Sequence, residues 1–265
     1  MTDNEPTQSH TESKASLAAQ INWNPYAAIV YALVSFGFIT QLLVPVILYG
    51  GLLFTGQMSQ QALNTLQSSI VWQFVYVLLA ETVMFWAVWW FVRLCKRSLR
   101  AIGWRRIRWS DVLVMLASFA VYFVAYAVLL AVATHFIPSL NAGQKQELGF
   151  DNVGGTRNLL LTFASLVVLP PVVEETVFRG FIFTSLRKNL RFVWAALATS
   201  LLFAAAHLEF GSGKPLVWVA ALDTFTLSLV LCYVREKTDS LWPGIMLHAL
   251  KNGIAFASLY LLHLG

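Results

Sequence analysis

Glu174, Glu175 and Arg179 fall within six residues of one another, directly after Pro170-Pro171, in a chain that is otherwise apolar over long runs from residue 26 almost to its end. An ionised carboxylate or guanidinium at mid-bilayer costs about 2.5 to 3.5 kcal/mol, so the three together cost roughly 8 to 10 kcal/mol unless they pair or meet water. Helical spacing sorts them. Glu175 and Arg179 are four residues apart and can pair on one face, whereas Glu174 is turned about 100° away and is the carboxylate left free. Phe203 with His207, and His248 with Asn252, repeat the four-residue spacing farther along, the second pair setting an imidazole and an amide on one stripe. A free carboxylate and imidazoles that share a hydrated space can move protons to and from water.

The elements that must position these groups are membrane helices. The 265 residues are 58% hydrophobic and 12% charged, with a mean hydropathy of +0.66, against about 25% charged in soluble domains. Seven apolar stretches, at 26–54, 70–92, 111–137, 158–187, 193–210, 215–235 and 241–263, are each long enough to span. Strands of a membrane barrel are about ten residues each and alternate, which excludes that architecture. The fold class is therefore all-α, a polytopic membrane bundle of about seven helices. The first stretch is long and contains Pro45, so a kink is expected in it. Pro170-Pro171 is expected to break the fourth helix, with a new helix starting near Pro171 and both glutamates in its first turn, where the helix dipole favours carboxylates.

Charge orients the bundle. Arg93, Lys96, Arg97, Arg100, Arg105, Arg106 and Arg108 lie between the second and third stretches, which marks that loop and the N-terminus as cytoplasmic. Thirteen of the 18 Lys and Arg residues then fall inside. The net charge of +5 thus serves membrane topology, and the sequence reads as one that binds no nucleic acid. Cys95 and Cys232 both fall near inner helix ends, against a structural disulfide. Residues 1–25 read as a polar cytoplasmic tail, disordered and without a cleavable signal; 26–110 as accessory helices with the basic loop; 111–265 as the core.

Depth follows from a rise of 1.5 Å per residue. Counted from the nearest inner boundary, Glu174 lies about 20 Å deep, His207 about 24 Å, His248 about 17 Å, and Glu81 and Asp223 about 18 Å. Five helices place polar groups in one slab, which points to a shared hydrated cavity.

Glu174-Glu175-x-x-x-Arg179, Phe203-x-x-x-His207 and His248-x-x-x-Asn252, in that order on successive helices, resemble the three motifs of the CAAX protease and bacteriocin-processing (CPBP, or Abi) family of intramembrane proteases. The flanking Pro-Pro-Val-Val-Glu-Glu-Thr-Val-Phe-Arg-Gly resembles the family's first motif, and residues 1–110 add little to the likeness. The resemblance implies an endopeptidase in which Glu174 and His207 position and activate a water, His248 and Asn252 stabilise the oxyanion, and Glu175 with Arg179 forms a supporting pair. Amide hydrolysis does require a base for water and donors where negative charge develops.

It also implies a membrane-associated protein or peptide substrate, whether or not prenylated, and lipid as a partner. Zinc is open at this stage: Glu174, His207 and His248 could supply its carboxylate and two imidazoles. No His-Glu-x-x-His, Gly-x-Ser-Gly or Gly-x-Gly-Asp occurs, so the chain does not resemble site-2 zinc peptidases, rhomboids or presenilins. Two rival classes are a non-proteolytic immunity or scaffold protein and a proton-coupled secondary transporter, which also uses midplane acids and a broken helix. A bacterial plasma membrane is the expected location.

Overall fold

The computed structural model describes residues 21–54, 56, 59–144, 150, 153–208 and 216–262. The tail read as disordered lies outside these except for its last five residues. The described residues are helical and carry no strand. Helix α1 runs Pro25–Phe38 and continues through a π turn, Ile39–Leu43, into Val44–Phe54. The others are α2 (Gln60–Ser68), α3 (Ile70–Leu94), α4 (Trp109–Phe136), α5 (Thr156–Leu186), α6 (Phe192–Ala206), α7 (Trp218–Thr238) and α8 (Trp242–Phe256, continued by the π turn Ala257–Leu261). The seven apolar stretches correspond to α1 and α3 to α8. The short α2, capped by the Ser59 hydroxyl on Ala62 N, falls in what the sequence reading left as a connection.

Four helices, α3, α4, α5 and α7, are long and apolar enough to cross a membrane. In α4 only 6% of the most apolar window is buried within the protein, and Leu113, Phe123 and Val124 point outward. Such an exposed apolar belt is stable only against lipid.

The irregularity expected at Pro170-Pro171 is present, but as a π turn inside one continuous helix. Residues Ala164–Val168 widen to π geometry directly before the prolines, and the α-helix resumes as Leu169–Glu175. The two glutamates therefore lie at the end of this α segment and not in the first turn of a new helix. The physical reason is the solvent: a full break at membrane depth strands several backbone groups, whereas a π turn strands only those facing the prolines. The carbonyl of Leu166, four residues before Pro170, has lost its backbone donor. Asn252 Nδ2 takes that place at 3.0 Å. Helix α1 uses the same device ahead of Pro45, where the Tyr76 hydroxyl donates to Thr40 O at 3.0 Å.

The largest apolar core joins α1, α3, α5 and α6, with Trp23, Phe91 and Phe181 in mutual ring contact. Trp23 is buried, with its indole N–H on Ser185 Oγ at 2.7 Å, so it belongs to the core. Helices α4, α7 and α8 form a second core around Leu227, Leu231, Leu247 and Tyr122.

Candidate active site

The motif residues converge where α5, α6 and α8 meet. Arg179 Nη1 donates to Glu175 Oε1 at 2.7 Å, one helical turn away, and both side chains are only 1% exposed. The pair expected from spacing is therefore formed. His248, on α8, approaches the same Glu175 oxygen with Nδ1 at 3.0 Å. Since a carboxylate oxygen accepts, Nδ1 carries the proton, and the other ring nitrogen faces Glu174 Oε2 at 3.9 Å. His248 thus sits between the two glutamates.

Small and flat groups make this approach feasible. A Cβ on Gly244 would lie 3.3 Å from Glu175 Oε2, so the glycine lets α8 close on the buried carboxylate. The Arg179 guanidinium lies 4.3 Å from the centroid of the Phe203 ring. That ring also contacts His207 at 4.7 Å and His248, edge to face, at 5.8 Å. Phe203 is fully buried and is the hub linking all three motifs. Desolvated cation–π contacts of this kind contribute about 2 kcal/mol.

His207 is the C-cap residue of α6, one position beyond its last turn. Its Nδ1 lies 2.8 Å from Phe203 O, a carbonyl that the helix end leaves without a backbone partner. A carbonyl can only accept, so Nδ1 is the protonated nitrogen and Nε2 carries the lone pair. The helix end itself fixes the tautomer that a general base needs.

Glu174 and His207 both line a cavity of about 310 Å³, within the range of small-molecule sites. Glu174 keeps 25% of its side chain exposed, in contrast to Glu175. The rest of the wall is mostly apolar and comes from α1 and α3 as well as α5 and α6, with Phe36, Ile39, Met84, Phe178 and Leu202 among its residues. Glu81 of α3 lies on this wall, so Glu81, Glu174 and His207, grouped by depth alone, do share one space. Residues of α1 on the wall include no ionisable group and escaped the sequence reading.

The remaining candidates are placed differently. His248 and Asn252 do not line the cavity, and Asn252 is bonded to Leu166 O as described. Asp223 receives Lys251 Nζ at 2.8 Å and the Tyr122 hydroxyl, so it forms a separate polar cluster between α4, α7 and α8. Among the described residues no three His, Cys, Asp or Glu side chains are grouped to hold a metal ion. The donor set Glu174, His207 and His248 thus does not form a zinc site in this arrangement. Cys95 and Cys232 are free thiols.

Residues 156–254 match the model of the Rce1-like type II CAAX prenyl endopeptidase family, a segment that contains all seven motif residues. The match covers this segment only, and over it the likeness to the CPBP family read from the motifs is supported. The matched segment includes Glu174, Glu175, Arg179, Phe203, His207, His248 and Asn252, and it excludes Glu81, α1, α3, α4 and the basic loop. An uncharacterised 24.3 kDa protein of Escherichia coli is 34% identical over 95 residues, which cover 34% of this chain and 41% of that relative. No solved structure matches the chain.

Proposed function

We propose that the protein is an intramembrane endopeptidase of the CAAX-processing type, in which Glu174 and His207 activate a water that attacks the scissile carbonyl. The observation that supports this most is the shared cavity: it holds a partly exposed carboxylate and an imidazole whose tautomer leaves Nε2 as acceptor. Glu174 takes the water proton, and the hydroxide adds to the carbonyl carbon. As the tetrahedral intermediate collapses, the proton passes to the leaving nitrogen, so Glu174 ends each cycle ionised. His207 orients the water through Nε2. His248, with its Nδ1 proton engaged on Glu175 and Nε2 facing Glu174 at 3.9 Å, serves the oxyanion only in its doubly protonated form, through an Nε2 proton. Asn252 has one amide proton engaged on Leu166 O and the other left for that same role.

Glu175 and Arg179 serve as a structural pair that holds α5 and α8 together. The apolar walls suit a membrane-associated substrate with apolar residues, or a lipid substituent, next to the scissile bond. We place the protein in a bacterial plasma membrane with the basic loop and N-terminus in the cytoplasm, residues 111–265 as the protease core and 26–110 as accessory helices that complete the cavity.

The test is reconstitution of the purified chain in liposomes with paired peptides that do or do not carry a prenylated C-terminal Cys-a-a-X sequence. Mass spectrometry of the products should show one new terminus with the wild type and none with Glu174→Ala. Intact peptide in both samples, with the protein folded, would reject proteolysis and favour the scaffold class.

A further inference from the structure

A larger cavity than the one that holds Glu174 lies elsewhere among the described residues. It is a bowl of about 930 Å³ at the end of α3 and the start of α4, lined by seven cationic side chains and no carboxylate. Arg93, Lys96, Arg97, Arg100, Arg106 and Arg108 are all exposed, and none of them has an ion pair among the described residues. Arg105 alone has one, with Asp239. Burial first, and then the neighbouring Arg108 and Arg100 guanidinia, lower the Arg105 pKa below its ordinary value.

Topology alone does not require this shape. The positive-inside rule asks for Lys and Arg near helix ends, and a flexible loop satisfies it. Here the loop is fastened at several points. Ile102 is fully buried, Leu241 N donates to Gly103 O at 3.0 Å, Trp242 Nε1 donates to Arg105 O at 2.7 Å, and Asn22 Nδ2 donates to Cys95 O at 2.9 Å. The chain therefore holds its cations around a preformed concavity, and much of the ordering cost of binding is already met by the fold.

We propose that this bowl is a binding site for a phosphate-bearing polyanion. Seven cations far exceed the charge of one phosphate monoester, which carries about −1.5 to −2, and the volume is at the upper end of ligand sites. Two or more phosphates in one ligand fit both quantities. The site lies at the ends of two membrane helices, the depth of lipid headgroups. Between the lining residues Ala101 and Arg105 the chain touches α5: Trp104 Nε1 donates to Thr176 Oγ1 at 3.2 Å, next to Glu175, and a Cβ on Gly180 would lie 3.0 Å from Ile102 O. Occupancy of the bowl therefore stiffens α5 and reads out as stability, independently of any peptidase activity.

The experiment is thermal unfolding of the purified protein in neutral detergent, with added phosphatidylcholine, added cardiolipin, or soluble sodium pyrophosphate. The wild type should gain stability from a diphosphate probe and not from phosphatidylcholine, and the gain should fall as salt rises. A response to cardiolipin alone assigns the site to lipid headgroups, and a response to pyrophosphate assigns it to soluble phosphates. Arg97→Gln/Arg100→Gln/Arg106→Gln should bind the active probe at least tenfold more weakly with unchanged stability in phosphatidylcholine, since all three side chains are exposed. No stabilisation by either diphosphate, or an equal response in the triple variant, overturns the proposal.

Discussion

Asn252→Ala is the substitution whose magnitude the structure constrains best. The wild-type amide donates at 3.0 Å to Leu166 O, the carbonyl whose α-helical partner position is Pro170. Interhelical hydrogen bonds in membranes average only about 0.6 kcal/mol, because freed groups find other partners. Leu166 O has no backbone N–H to return to. The relevant figure is therefore the stranded-acceptor cost of about 1–3 kcal/mol, a shift of about 5- to 150-fold in the folding equilibrium. Pro170→Ala/Pro171→Ala restores an N–H at both the four- and five-residue positions beyond Leu166. In that background the Asn252→Ala penalty should shrink by about 0.5–1.5 kcal/mol, one ordinary hydrogen bond. Reversible unfolding in mixed micelles, followed by circular dichroism for all four proteins, completes the cycle. A penalty below about 0.5 kcal/mol, within the range of neutral surface substitutions, or one of equal size in both backgrounds, would refute the assignment of Asn252 as the cap of the proline turn.

Three further outcomes follow from the same contacts. Arg179→Met leaves Glu175 buried without its cationic partner and should destabilise by about 3–5 kcal/mol, while Glu175→Gln/Arg179→Met recovers most of that loss; thermal unfolding of both variants checks it. Phe203→Leu removes the ring between Arg179, His207 and His248, and should cost about 1–3 kcal/mol from the lost cation–π and ring contacts; kinetics should show kcat falling more than KM. Gly103 has φ of 100°, and an added Cβ would lie 2.8 Å from the Arg235 guanidinium, itself held by Asp239 and Thr184. Gly103→Ala should therefore cost about 1–3 kcal/mol, whereas Gly154→Ala, which meets open space, should cost much less in the same unfolding assay.

Spacing and depth made much of the site legible. The Glu175–Arg179 pair follows from four-residue periodicity, and the shared cavity of Glu81, Glu174 and His207 follows from counting inward from the charged ends. What escaped was set by tertiary partners. A proline pair reads locally as a helix end, yet a side chain 86 residues away supplies the missing donor, so the helix continues. His248 reads as a lone imidazole on a stripe, and its place between two carboxylates depends on Gly244 allowing α8 to come close. The basic loop reads as a topology signal because its fixed shape depends on contacts of Ile102, Gly103 and Trp104 with Gly180, Leu241 and Thr176 that charge counting does not register.

The most direct test of the water-activating pair is single-turnover cleavage by Glu174→Gln beside Glu175→Gln, with the folded fraction of each measured in the same samples. The account predicts that Glu174→Gln keeps its stability and loses about 10²–10⁴-fold in rate, the ordinary contribution of a general base, whereas Glu175→Gln loses stability first. Wild-type cleavage by folded Glu174→Gln would contradict it.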